Sequence, residues 1–490
     1  MNRLTKIVDA AGLAFTFDYD AVNKLTQKKA PNGVKTIYQY DGIDRLTRLV
    51  DTKGATTVAD HQYQYNNASQ ITQIAEPAIM RSYGYDAVDR LTSAAYTNPV
   101  LPNETYSYDK VGNRTASQLS ATYAYQRFNR LTSTATASYS YDANGNLISK
   151  SDTSGTTQYA WDFENRLRQV TLPNGLTVAY KYDALGRRIQ RTPSTGISTN
   201  FVYDGQDVVK DINSDGSTVD YLNGPGVDNK LRLTDSRLTA SGPLYFLQDQ
   251  VGSTTGFTNS LGAAVSQIRY DSFGNPATAP NLTRYVYTGR EFDSDTGLYY
   301  YRARWYDAKV GRFISEDPIG FGGGVNQFRY VGNNPQNATD PSGLYNEDVH
   351  YYLTYFIATR FSCLNGNEAR LIADADQSTD ENPDTKPFPG LSITQASQNN
   401  DYHAFNLWVN SRMGELRAAA VCKDHNYVGM GRYLHFLQDT YSHSGFQSSM
   451  YGQFGFNGVD FPVIGGFVVD NTNWHPEKSD EMARNTFCNL

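Results

Sequence analysis

The sequence predicts a multi-domain chain, an all-β hairpin repeat followed by a mostly α-helical C-terminal domain. Three observations lead there. An aromatic-x-Tyr-Asp signature recurs as far as about residue 310, a stretch rich in Asn-Pro and Asp-Pro turns follows it to Leu344, and six of the seven histidines and all three cysteines fall beyond that point. At 490 residues the chain also exceeds what one ordinary core accommodates.

The repeat reads as one hairpin per copy. FDYDAVNKLT, YQYDGIDRLT, YGYDAVDRLT, YSYDKVGNRT and YKYDALGRRI are clear copies, while YQYNNASQIT and YAYQRFNRLT are degenerate ones. The turn positions Asp20, Asp41, Asn66, Asp86, Asp109, Gln126, Asp142, Asp162, Asp183 and Asp204 are spaced 16 to 25 residues apart. Alternating aromatic and Thr-rich residues before the Tyr favour a strand, Asp with a following Gly or Asn makes the turn, and Arg-Leu-Thr starts the return strand. With 37 tyrosines, the ladder suits a wall packed on one side and wetted on the other. A carbohydrate-binding surface is the lesser reading of the same ladder, so a cell-surface repeat protein with a non-catalytic tail is an alternative.

In the closing stretch, Asp317 and Asp340 begin matching Asp-Pro-x-Gly units. Such units make good type I turns. Two carboxyls brought together can also share a proton, one acting as base to a water and the other as acid to a carbonyl, with Arg312 biasing which of them ionises.

Residues 345–490 hold nine Lys/Arg against seventeen Asp/Glu, which leaves the first 344 residues near neutrality. That balance predicts no stable nucleic-acid partner. No 18-residue apolar run and no Sec-type leader is visible, so export would use another route. Three cysteines, Cys363, Cys422 and Cys488, do not make a disulfide framework.

Within this tail, GMGRYLHFLQDTYSHSGF puts His435, Asp439 and His443 at i, i+4 and i+8, one face of a helix. Imidazole and carboxylate donors so spaced suit zinc, and His350, Asp380, His403 and His475 are further candidate ligands. The late FGFNGVDFPVIGGFVV reads as a buried strand or packed loop.

The repeat resembles the YD repeats of Rhs proteins, toxin-complex C components and teneurins, and Gly289–Phe321 with the turns after it resembles the Rhs core terminus. The resemblance implies a spiralling β-hairpin shell over 1–288, a plug and self-cleavage segment over 289–344 that cuts the Leu344–Tyr345 bond, and an effector over 345–490. It also implies delivery by a specialised secretion route, a secretion-system partner and a cognate immunity protein. Shells of this kind use more repeats than are present here, which implies part of a longer shell or one closed by a partner.

The tail resembles the zinc-dependent phospholipase C and P1 nuclease superfamily, which implies two or three zinc ions. By that resemblance the ligands are His350, Asp380, His403, His435, Asp439, His443 and His475, with Glu477 or Asp480 as the last carboxylate. Asp380 would be the bridging ligand or general base. The expected activity is phosphoester hydrolysis, phospholipase C-like on phospholipid because a basic stripe is lacking. A metal-dependent nuclease is the alternative.

Overall fold

The structure, a computed structural model, describes residues 3–9, 11–97, 101–238 and 242–344, and the short stretches 446–448, 454–456 and 459–461. Its contacts divide the chain into Met1–Pro318 with Val325–Tyr345, and Ile319–Gly324 with Asn346–Leu490. The expected helical tail lies outside the described residues. The three short stretches at 446–461 pair as an antiparallel sheet, with Phe446 opposite Phe456 and Phe454 opposite Phe461.

The repeats form antiparallel meanders in which each strand pairs with the next. One sheet has eleven strands, from Lys6–Val8 to Arg114–Ser117, and another has fifteen, from Tyr123–Tyr125 to Ala264–Gln267. Each conserved letter of the repeat makes a bond. The turn aspartate accepts two backbone N–H groups through Oδ1: Asp86 takes those of Val88 and Arg90 at 3.1 and 3.0 Å, and Asp183 those of Leu185 and Arg187 at 2.9 and 3.0 Å. The residue three after it adopts positive φ in Asn23, Asp44, Ser69, Asp89, Gly112, Gly145, Asn165 and Gly186, a conformation that favours the Gly, Asn or Asp found at all but one of these places.

The following arginine links neighbouring repeats. Arg90 binds its own Asp86 at 2.7 Å, donates to the Asp109 carbonyl at 2.6 Å and stacks over the Tyr108 ring, and Arg45, Arg166 and Arg187 repeat the pattern. Tyrosine closes the link in the other direction. Tyr40, Tyr65, Tyr108, Tyr182 and Tyr203 donate their hydroxyls to the carbonyls of Leu25, Leu46, Leu91, Leu167 and Arg188 in the preceding repeat, all at 2.7–2.9 Å. Each of these tyrosines sits where its own strand's register slips by a residue.

A four-stranded sheet follows: Glu291–Asp293, Leu298–Tyr301, Arg304–Asp307 and Arg312–Phe313. The run LYYYRARWYD reads as a strand pair buried on both faces, and every residue of its two strands is buried. Side-chain alternation divides them between two cores. Tyr299, Tyr301, Tyr306 and Phe313 pack with residues of both large sheets, including Leu91, Tyr106, Phe201 and Phe257. Leu298, Tyr300, Trp305 and Ile314 pack with Leu147, Tyr159, Leu167 and Tyr180 of the fifteen-stranded sheet. The small sheet therefore fills the space between walls.

Candidate active site

Strand Arg304–Asp307 carries an arginine into this apolar interior. Arg304 is 1% exposed and its guanidinium lies 3.6 Å from the centre of the Phe313 ring. A cation so placed requires partners, and the planar fork takes four. Nη2 lies 2.7 Å from Asp317 Oδ2 and 3.5 Å from Asp340 Oδ2, Nη1 donates to the Gln327 carbonyl at 2.9 Å, and Nε donates to the Gly343 carbonyl. Burial pulls the guanidinium's pKa below its ordinary value and the two carboxylates oppose that; it remains a cation.

The two Asp-Pro-x-Gly units are thus brought onto one nitrogen atom. Both carboxylates are almost wholly buried. Asp340 also uses its other oxygen: Oδ1 accepts the N–H of Gly343 at 2.8 Å, the N–H of Leu344 at 3.1 Å and the Ser342 hydroxyl at 3.2 Å. The 340–344 segment is held from outside as well. Ala303 N–H donates to the Ser342 carbonyl at 3.1 Å, and Arg302, paired to Asp228, donates to the Pro341 carbonyl. Gly343 has φ +72°, and a Cβ there would lie 2.1 Å from the Tyr301 carbonyl oxygen, so only glycine fits.

The sequence expectation named Arg312 as the cation acting on the aspartates; in the structure it is Arg304 that contacts both. Arg312 lies opposite Asp307 in the sheet, donates to the Asn129 carbonyl and stacks over Tyr125 and Phe328. Arg302 and Gln327 were also unforeseen; the available signal was an arginine embedded in an unbroken aromatic strand pair. Tyr345 of the expected scissile bond lies outside the described residues, as do His350, Asp380, His403, His435, Asp439, His443, His475 and Asp480. Among the described residues, no cluster of His, Cys, Asp or Glu could hold a metal ion. No helix among them is long and apolar enough to cross a membrane.

The teneurin YD-shell family matches residues 7–336. The chain belongs to the teneurin YD-shell family. Among curated YD-shell relatives, the tRNA3(Ser)-specific nuclease WapA of Bacillus spizizenii is 32% identical over 260 residues, covering 49% of this chain and 11% of that protein. The double-stranded DNA deaminase toxin A of Burkholderia cenocepacia is 28% identical over 318 residues, covering 58% of this chain and 22% of that protein. The chain thus spans a small part of the relatives it matches. The crystal structure of TcdB2-TccC3 without its hypervariable C-terminal region superimposes with a TM-score of 0.55 at 20% identity, over 69% of this chain and 20% of that one, a likeness of fold.

Proposed function

We propose that this YD-shell protein is an Rhs-type polymorphic toxin that cuts its own chain after Leu344 and frees residues 345–490 as a hydrolase. The observation that supports the cut is the Asp317–Arg304–Asp340 cluster, whose Asp340 carboxylate holds the backbone N–H of Leu344. One carboxylate would take a proton from a water attacking the Leu344 carbonyl while the other, protonated, gives its proton to the carbonyl oxygen. As the tetrahedral intermediate collapses, the first would pass its proton to the departing Tyr345 nitrogen and the second would take one back from a hydroxyl of the intermediate. The products are a Leu344 carboxylate and a Tyr345 amine. Arg304 would keep the pair's net charge small whichever carboxyl carries the proton. On a denaturing gel the wild type should give two bands, and Asp317→Asn or Asp340→Asn one. A single wild-type band would end this reading.

For the released tail, nucleic acid is favoured over phospholipid. The support is that matched relatives are named as a tRNA nuclease and a DNA deaminase toxin. An acidic tail is compatible with this if bound cations reverse the local field. His350, Asp380, His403, His435, Asp439, His443, His475 and Asp480 are proposed as zinc ligands, the metal supplying an activated water. Full-length protein would be incubated with tRNA, plasmid DNA and phosphatidylcholine vesicles, and metal would be counted by mass spectrometry beside His435→Ala. Vesicle hydrolysis without nucleic-acid cleavage would restore the phospholipase reading. Zinc content unchanged in His435→Ala would remove that ligand set. Delivery through a secretion or toxin-complex machine, and an immunity protein that protects the producer, complete the proposal.

A further inference from the structure

A second site lies far along the chain from the aspartate pair, between the two large sheets. Strands Thr56–Tyr65, Ile71–Glu76 and Ile79–Tyr85 of the first sheet face strands Leu244–Gln248, Thr254–Thr258 and Ala264–Gln267 of the second around a cavity of about 430 Å³. That is the size range of small-molecule sites. Pro77, Ala78, Ala264 and Gln267, all exposed, stand at its margin.

Five residues before the turn residue, a place that other repeats fill with Phe15, Thr36, Glu104 or Val178, two successive repeats place His61 and Arg81. His61 is the one histidine of the first 344 residues. It is 4% exposed, and neither ring nitrogen has a hydrogen-bond partner in the protein. Arg81 Nε, Thr255 Oγ1, Ser266 Oγ and Arg269 Nε around the same cavity are likewise buried and unpartnered. Buried polar atoms are seldom left so, and five of these six can donate.

Charge gives the sign of what would satisfy them. The carboxylates around the cavity are engaged. Asp60 takes Arg48 through two bonds at 2.8 and 2.7 Å, Glu76 takes Arg81, and Asp249 Oδ1 accepts the N–H groups of Val251 and Ser253. Arg269 has no ion pair among the described residues, so its guanidinium is the cation of the lining that is open to an added anion, while Asp249 is held by backbone N–H groups.

From this we infer that the cavity is a binding site for a monosaccharide-sized, hydroxylated organic molecule bearing one oxyanion, a carboxylate or phosphate. The oxyanion meets the guanidinium of Arg269. The hydroxyls exchange hydrogen bonds with His61, Thr255, Ser266 and Arg81 Nε–H.

Isothermal titration of the full chain with glucuronate, glucose 6-phosphate, glucose and inorganic phosphate tests this. The expected result is saturable binding of glucuronate or glucose 6-phosphate, the tighter of the two naming the oxyanion, and at least tenfold weaker binding of both glucose and inorganic phosphate. Arg269→Gln should weaken the favoured probe tenfold or more, and Ser266→Ala, a gentle change on a half-buried strand position, severalfold. Each variant would be accepted only with a wild-type melting temperature and wild-type circular dichroism. Glucose binding as well as the anions, phosphate alone binding as well as the sugar anion, no saturable binding to any probe, or affinity unchanged in both variants would each overturn the assignment.

Discussion

Replacing Arg304 by Met tests the central cluster through its electrostatics. Met fills much of the aliphatic stem but leaves Asp317 and Asp340, both almost fully buried, facing each other without their cation. Removing one partner of a buried charge cluster costs about 3–5 kcal/mol when the remaining charges stay ionised. The chain can instead protonate the carboxyl that is still ionised, which at pH 7 costs about 4 kcal/mol for a group of ordinary pKa near 3.9. Both routes lead to the same loss, so the expected destabilisation at pH 7 is about 3–5 kcal/mol. The sign of the pH dependence then follows. In the variant the folded state holds one proton more than the folded wild type, so its stability relative to wild type falls as pH rises, by about 1.4 kcal/mol per unit. Urea unfolding followed by tryptophan fluorescence at pH 5 and pH 7 should therefore show a deficit that shrinks in acid. Adding Asp317→Asn should recover about half of it. An Arg304→Met protein within about 1 kcal/mol of wild type at pH 7, with no difference at pH 5, would refute the cluster as described.

Gly343→Ala forces a side chain against the Tyr301 carbonyl at positive φ, so it should cost at least about 1–2 kcal/mol and displace Leu344; a melting curve and a gel for uncut chain check both effects. Tyr108→Phe removes the hydroxyl that reaches the Leu91 carbonyl at 2.8 Å and should cost about 0.5–1.5 kcal/mol in urea unfolding while leaving chain cleavage unchanged. Burial raises the pKa of Asp51 to about 6, with Lys28 and the Thr36 hydroxyl opposing. Its folded pKa lies above its unfolded one, so stability should fall as pH rises from about 4 to 6, and Asp51→Asn should flatten that slope in urea titrations.

Much of the wall was readable because the repeat's interactions are local or one copy away. Tyr, Asp, the Gly/Asn/Asp place and Arg each make a bond that the 16 to 25-residue spacing brings into range. The aspartates of the seam were readable too, since their Asp-Pro-x-Gly turns match. The cation between them was not. Arg312 is five residues from Asp317, Arg304 thirteen, and proximity along the chain pointed to the former. The sheet decides otherwise, because Arg312 is registered against Asp307 and its guanidinium turns to Asn129. The His61 cavity left a fainter trace. Its groups come from strands about 200 residues apart, and His61 and Arg81, at a repeat position that elsewhere holds Thr and Glu as well as Phe and Val, acquire meaning only once the two sheets face each other.

The buried four-stranded sheet also sets a schedule. Its two faces rest on side chains from strands that leave the ribosome earlier, such as Leu91, Leu167 and Phe257. Those surfaces must exist before Leu298–Phe313 can leave water, and Arg304 reaches Asp317 and Asp340 only afterwards. If the chain cuts itself as proposed, a centre built in this way would work as a checkpoint. A misassembled wall would leave an uncut precursor, and the shorter band would report that the walls have packed around the small sheet.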